Sequence, residues 1–445
     1  MNSILLICES VEDARCLLDT DALPIPLKEI DILSMEPEIK SILVNHEISS
    51  MTSADFVNRL DYEIIDSDCK KIYSDLEFNI KQNIPSCYSK CIENMFLYYT
   101  HFSFYTIIWN ARLLHNLLDL EQYVKIITFT SKKNIESSPW FISEQNILHL
   151  LISQVLLNKT FEHVILKNDG GKNKKHVSGF FLPLVRQFIK PVYSFMLRRI
   201  SGRNGKIFNI MVPSMAKNLN ILCSNLLKKH PNIIFFNFGE GNSVLSELYK
   251  FYILVKYFIT DKGEHDPNLL GGYAVKLSLS LLAPSVANEK SGVTYDFFNK
   301  IMLRIQESEL NLNILNSKEV VRFFQRNKFE HIFSYLQYQQ SLSSGLEKCL
   351  EFLKPDMVFS QMSLGITCML GYLAEIAGMP SMLISHGSHV LHTDGVAKLE
   401  HELIANNMLV GGYRFLGIQT SHSGDYVAKK KLPNQYIVKI NPIIL

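Results

Sequence analysis

His386 and Gly387 follow the apolar run SMLIS, and Gly239-Glu240-Gly241-Asn242 follows the run IIFFNF. Both clusters read as turns leaving the carboxyl ends of buried strands, where open parallel sheets bind ligands. A histidine in such a turn can take a proton from a hydroxyl or give one to a leaving oxygen. The adjoining Gly387 would let a sugar or phosphate approach the backbone, and Ser388 and His389 add polar groups to the same turn. Glu240 is the best-placed carboxylate base, with Gly239, Gly241 and Asn242 as binding positions around it. Glu9, just after the first apolar run ILLIC, is the second carboxylate candidate. The cluster at 239–242 lacks the G-x-G-x-x-G fingerprint and also fits a plain strand-to-helix turn. His386, His389 and His392, with Asp394, recur at short intervals in a loop without a zinc pattern, so neither a metal nor a cofactor is expected.

Alternating strands and helices must hold these turns. Ile4–Cys8, Val124–Phe129 and His163–Leu166 read as buried strands, the first at the protein's edge. Helical patterns over 104–118 and 143–157 lie between them. A lysine-rich loop over 167–176 breaks the series, and GFFLPLVRQFIKPVYSFMLRRISGR comes after it. A second series opens with the strand IFNIMV, a helix over 216–229 and the strand IIFFNF. Apolar helices are expected over 244–260 and 273–286, and a long, more polar helical stretch over 294–354. Beyond it lie MVFSQ, a helix over 364–377 stopped by Gly378 and Pro380, and SMLIS. The alternation predicts an α/β protein with Rossmann-like parallel sheets, and KIFNIMV, NIIFFNF, MVFSQ and SMLIS are expected in one of them. The expected domains are an N-terminal α/β domain over 1–170, a basic aromatic linker or helix over 171–204, a Rossmann-like domain over 205–430, and the start of another domain over 431–445.

At 445 residues the chain is too long for one core, and 47% hydrophobic against 20% charged residues excludes a disordered protein. Lys and Arg number 45 against 43 Asp and Glu, which argues against a nucleic-acid partner. The eight cysteines form no C-x-x-C pair and predict a reducing compartment; Cys87 and Cys91, one helical turn apart, read as small buried hydrophobes. MNSILLICESVED has no basic lead and reads as a strand rather than a signal peptide. The apolar stretch over 178–197 is interrupted by Arg186 and Lys190, so no span of the bilayer is expected and a cytoplasmic location is. Phe180–Arg203 nevertheless mixes aromatic and basic residues, and reads either as a packed helix with a basic rim or as a peripheral contact with the inner membrane.

KPDMVFSQ, a helix, AGMPSMLISHG and a segment with Glu400 and Glu402 resemble the end of the first Rossmann domain of GT-B glycosyltransferases. The sugar-nucleotide 2-epimerases share that layout. FLGIQTS, DYVAKK and YIVKINP, ending on Asn441-Pro442, are similar to the strand, helix and strand that come next in such proteins. The histidine-glycine pair is similar to that of bacterial surface-polysaccharide transferases. The resemblance covers 354–442, and the chain ends three residues later, so a GT-B-like fold is expected with its second nucleotide-binding domain missing or truncated. The resemblance implies a metal-independent glycosyltransferase, or its acceptor-side portion, moving a sugar from a nucleotide-sugar donor to a glycan or glycolipid acceptor in polysaccharide synthesis. Its rivals are a sugar-nucleotide epimerase and a non-catalytic, degenerate subunit.

Overall fold

The computed structural model describes residues 3–19, 23, 26–83, 90–120, 123–131, 147–155, 161–168, 181–201, 208–213, 217–238, 244–260, 264–265, 273–283, 295–313, 315–361, 363–384, 409–418, 427 and 429–439. The chain opens with β1 (Ser3–Cys8), α1 (Val11–Leu18), β2 (Asp31–Ser34), α2 (Pro37–Asn45) and β3 (Met51–Thr52). Two long helices, α3 (Arg59–Asn83) and α4 (Lys90–Leu120), lead to β4 (Tyr123–Ser131), α5 (Ile147–Gln154) and β5 (Glu162–Asn168). Next come α6 (Phe181–Ser201), β6 (Phe208–Pro213), α7 (Lys217–Lys229), β7 (Ile233–Phe238) and α8 (Val244–Thr260). The strands β8 (Glu264–His265) and β9 (Tyr273–Leu277) precede the short α9 (Leu279–Leu282). Three helices, α10 (Tyr295–Glu307), α11 (Ser317–Asn327) and α12 (Phe329–Leu353), are followed by β10 (Met357–Ser360), α13 (Ile366–Ile376), β11 (Ser381–Ile384), β12 (Phe415–Ile418) and β13 (Tyr436–Lys439). No described helix is long and apolar enough to cross a membrane.

The chain forms two compact units, one from 1–84, 96–175 and 295–334, the other from 85–95, 176–294 and 335–445. This division departs from the expected continuous domains, because the helical segment 295–334 belongs with the N-terminal residues. Side chains far apart in sequence hold it there. Asn313 donates through its backbone N and its Nδ2 to the two carboxylate oxygens of the buried Asp68, each at 2.8 Å. Phe298 packs on Phe96 with ring centroids 4.0 Å apart, and Phe324 meets Phe104 edge-on at 5.1 Å.

The first unit has one parallel sheet in the order β3-β2-β1-β4-β5. The first strand is therefore central, not at the edge. Leu5, Leu6, Ile7 and Cys8 are all buried, because layers cover both faces of a central parallel strand. On one face, Leu6, Cys8, Ile127 and Phe129 pack against Ala14 and Leu17 of α1 and Ile39 and Leu43 of α2.

The second unit has an eight-stranded sheet in the order β13-β12-β11-β10-β6-β7-β9-β8, parallel except where β8 pairs antiparallel with β9. The four strands expected to share a sheet do so, as β6, β7, β10 and β11. Two expectations are corrected. Residues 273–277 form a strand rather than the start of a helix, since a short apolar run fits a buried strand as well as a buried helix. Tyr436–Lys439 pairs with β12 as the outer strand of this sheet rather than opening another domain. Gly378 adopts φ 66° after α13, the left-handed stop that its position before Pro380 predicts. Cys87 lies outside the described residues, while the buried Cys91 places its sulfur 3.3 Å from that of Cys368 on α13, as a pair of thiols.

Candidate functional site

In the first sheet the strand order reverses at β1: the chain runs outward through β2 and β3, then returns to lay β4 on the other side. The carboxyl ends of β1 and β4 flank that switch point, the usual ligand position in an open α/β sheet. Glu9 leaves β1 there. The next residue, Ser10, caps α1 through its side chain, and the Asp13 carboxylate accepts from the backbone N–H of Glu9 and of Ser10, both at 3.0 Å. This capping box fixes the direction in which Glu9 leaves the strand.

The Glu9 side chain is buried and engaged. Its two carboxyl oxygens accept from the backbone N–H of Leu148 at 2.9 Å and of His149 at 3.0 Å, in the first turn of α5. Burial pushes its pKa up to about 8, against those backbone hydrogen bonds, and the neighbouring Asp13 charge adds to the rise. A carboxyl that keeps its proton near neutrality donates protons better than it takes them. Glu9 therefore stands at the strand end where the sequence places it, but its geometry ties α5 to β1.

Behind Glu9 three side chains form a hydrogen-bonded chain. The buried Thr128 hydroxyl lies 2.9 Å from His149 Nδ1 and 2.8 Å from His163 Nε2. A hydroxyl has one proton, so it donates to one ring and accepts from the other. Burial lowers the His149 pKa to about 4, with help from His163, and burial lowers that of His163 too. Both rings are thus neutral at pH 7, and the Thr128 hydroxyl links them. Spacing does not single out either histidine; the available signal is a polar residue inside the apolar runs ILHLLI and HVIL.

In the second sheet the switch point falls between β6 and β10. The turns expected to carry chemistry, Gly239, Glu240, Gly241 and Asn242 after β7 and His386, Gly387, Ser388 and His389 after β11, lie outside the described residues, as do His392 and Asp394. Their strands are placed. Since β7 and β11 run parallel in one sheet, Phe238 and Ile384 end at the same edge. Two strands, β6 and β10, separate them, so the two turns spring from strands about 14 Å apart at the usual interstrand spacing.

At the same edge stands a carboxylate that sequence reasoning missed. Glu247, in the first turn of α8, is buried. Its carboxylate accepts from the hydroxyls of Ser278 and Ser280, just after β9, and lies 3.0 Å from Lys250 Nζ. The Ser278 backbone N–H in turn donates to the Tyr193 hydroxyl at 2.7 Å. The signal available was a single acid in a helix that carries no other.

Among the described residues, no group of three or more His, Cys, Asp or Glu side chains stands where it could hold a metal ion. No protein-family model matches the chain, and neither a curated protein nor a solved structure matches it.

Proposed function

We propose that the protein is a glycosyltransferase, taking a sugar from a nucleotide-sugar donor and passing it to a glycan or lipid-linked acceptor. The observation that carries this reading is the presence, in one chain, of two parallel sheets that each reverse strand order at an internal strand. Each such sheet offers a crevice at its carboxyl edge, the place where open α/β sheets hold their ligands. The histidine-glycine and Gly-Glu-Gly-Asn turns after β11 and β7 supply the remaining support. In this reading His386 or Glu240 takes the proton of the acceptor hydroxyl as it attacks the anomeric carbon. The leaving nucleotide carries away the bonding electrons, and backbone N–H groups at helix starts offset its charge. Gly387, Ser388, His389, Gly239, Gly241 and Asn242 contact the substrates. Glu9 is given a positioning part, since its oxygens hold α5.

Calorimetry of the full chain with a panel of nucleotide sugars, paired with an assay for sugar transfer and donor hydrolysis, tests the reading. Binding of one nucleotide sugar is expected, with turnover that falls at least about 100-fold in His386→Ala while Tm is unchanged. Absence of binding and turnover across the panel would overturn it.

A further inference from the structure

Large apolar side chains exposed on two neighbouring helices of the second unit form a surface with no covering element among the described residues. On α6, Phe188 is 74% exposed and Phe195 53%, with Val192 between them. At 188, 192, 195 and 199 these positions share one side of the helix, ending at Arg199, whose guanidinium lies 5.5 Å from the Phe195 ring centroid. On α8, which packs beside α6, Tyr252 is 58% exposed and Ile259 74%, with the exposed Lys256 on the same side. Phe195 and Phe258, ring centroids 6.3 Å apart, join the two rows. A monomeric protein rarely leaves so many large apolar groups together in water, and such a patch marks an interaction site.

The charge says what the patch meets. By sequence, α6 carries Arg186, Lys190, Arg198 and Arg199 and no acid, and α8 carries Lys250 and Lys256 with Glu247 alone. Glu247 is buried and paired with the largely buried Lys250, so that pair adds no charge to the surface, where Arg198, Arg199 and Lys256 are exposed. The whole chain has a formal charge of only +2, so these two helices concentrate its positive charge. Exposed aromatic groups set among cations match an anionic bilayer, where rings enter the headgroup boundary and cations meet lipid phosphates. We propose that the α6–α8 face of the second unit docks on an anionic lipid surface. This deepens the transferase reading, because it names where a lipid-linked acceptor is met, but its test does not depend on sugar-nucleotide binding.

Flotation of the full chain with vesicles containing phosphatidylglycerol, against vesicles of phosphatidylcholine alone, is the measurement. Binding to the anionic vesicles that weakens with salt is expected. Phe188→Ser combined with Phe195→Ser should weaken it by about tenfold or more, because buried rings supply much of the affinity. Arg199→Glu with Lys256→Glu should weaken it by about fivefold or more for each cation lost. All four positions are exposed, so unchanged circular dichroism is expected to accompany the loss. Equal or absent binding to both vesicles overturns the proposal, as does wild-type binding by both variants. Conversion of a dimer to a monomer by Phe188→Ser with Phe195→Ser, in sedimentation velocity, would assign the face to a second copy of the chain and overturn it equally.

Discussion

Replacing Glu9 with glutamine should change how the stability of the first unit depends on pH more than how large it is. In the folded protein the Glu9 carboxyl holds its proton up to about pH 8, whereas an unfolded carboxyl loses it near 4.5. Between those values the native state binds more protons than the unfolded state, so stability is full below pH 4.5 and falls as pH rises through 8. Each pH unit in that window costs about 1.4 kcal/mol, or about 5 kcal/mol across it. Buried His149 acts in the opposite sense. Its pKa is lowered to about 4, so its contribution is present above the ordinary value of 6.5 and lost as pH falls toward 4. Buried His101, its pKa also lowered to about 4, and His163, lowered too, act in the same sense as His149. The histidines therefore outweigh Glu9 where the windows overlap, which predicts a rise to about pH 6.5 and a decline above it. The glutamine amide does not titrate, but it can accept from only one of the two α5 N–H groups, a loss of about 1–2 kcal/mol at every pH. Glu9→Gln should therefore be less stable than wild type at about pH 5 and more stable at about pH 8.5, with the curves crossing near pH 6. The two tryptophans, at 109 and 140, fall within the stretch 96–175 of the first unit, so urea unfolding followed by tryptophan fluorescence from about pH 5 to 9 reads that unit selectively. Parallel curves for the two proteins, or a flat wild-type profile from about pH 6.5 to 8.5, would refute the reasoning.

Other perturbations isolate single features. Arg112→Leu leaves the Asp61 carboxylate with its bond from the Asn58 N–H but without the guanidinium that now lies 2.6 Å away, and should cost about 1–3 kcal/mol in the same fluorescence assay. Gly371→Ala would drive a methyl group into the Gly411 carbonyl and the Tyr413 ring, so a loss of about 1–3 kcal/mol is expected in the second unit, read by far-UV circular dichroism. Glu247→Leu strands Lys250 and two hydroxyls in the interior; it should destabilise by more than about 2 kcal/mol, and a Glu247→Leu, Lys250→Met pair should recover part of the loss.

The second sheet was the more legible of the two, for a reason visible in its strands. FNIMVP, IIFFNF, MVFS and SMLI are short and nearly all apolar, and most stand beside a helix with a clear start or stop. Local pattern suffices when strand, turn and helix agree, as at Gly378 and Pro380 after α13. It failed at YAVKLSLSLLA, where one apolar stretch holds both the strand β9 and the helix α9 and periodicity cannot divide them. It also missed β2 and β3, strands of four and two residues that are held by their neighbours, β2 by β1 and β3 by β2.

The polar part of the candidate sites was harder to foresee because its partners are distant along the chain. Glu9 was legible as a strand-end carboxylate, but nothing near it in sequence shows that its oxygens face N–H groups 139 and 140 residues away. Those bonds decide its chemistry. A solvated Glu9 would be ionised at neutrality and fit to take a proton, whereas burial against α5 keeps it protonated. The same holds for Asp68, whose partner Asn313 lies 245 residues on and draws the 295–334 segment into the first unit. In each case a buried charge or dipole must find a partner, because leaving it unpaired costs more than the bond returns. That requirement can be read from any acid in an apolar run; the identity of the partner follows only from the fold. Glu247 shows the useful converse, since the one acid of a largely apolar α8 demanded buried partners, and Lys250 and the serines after β9 supply them.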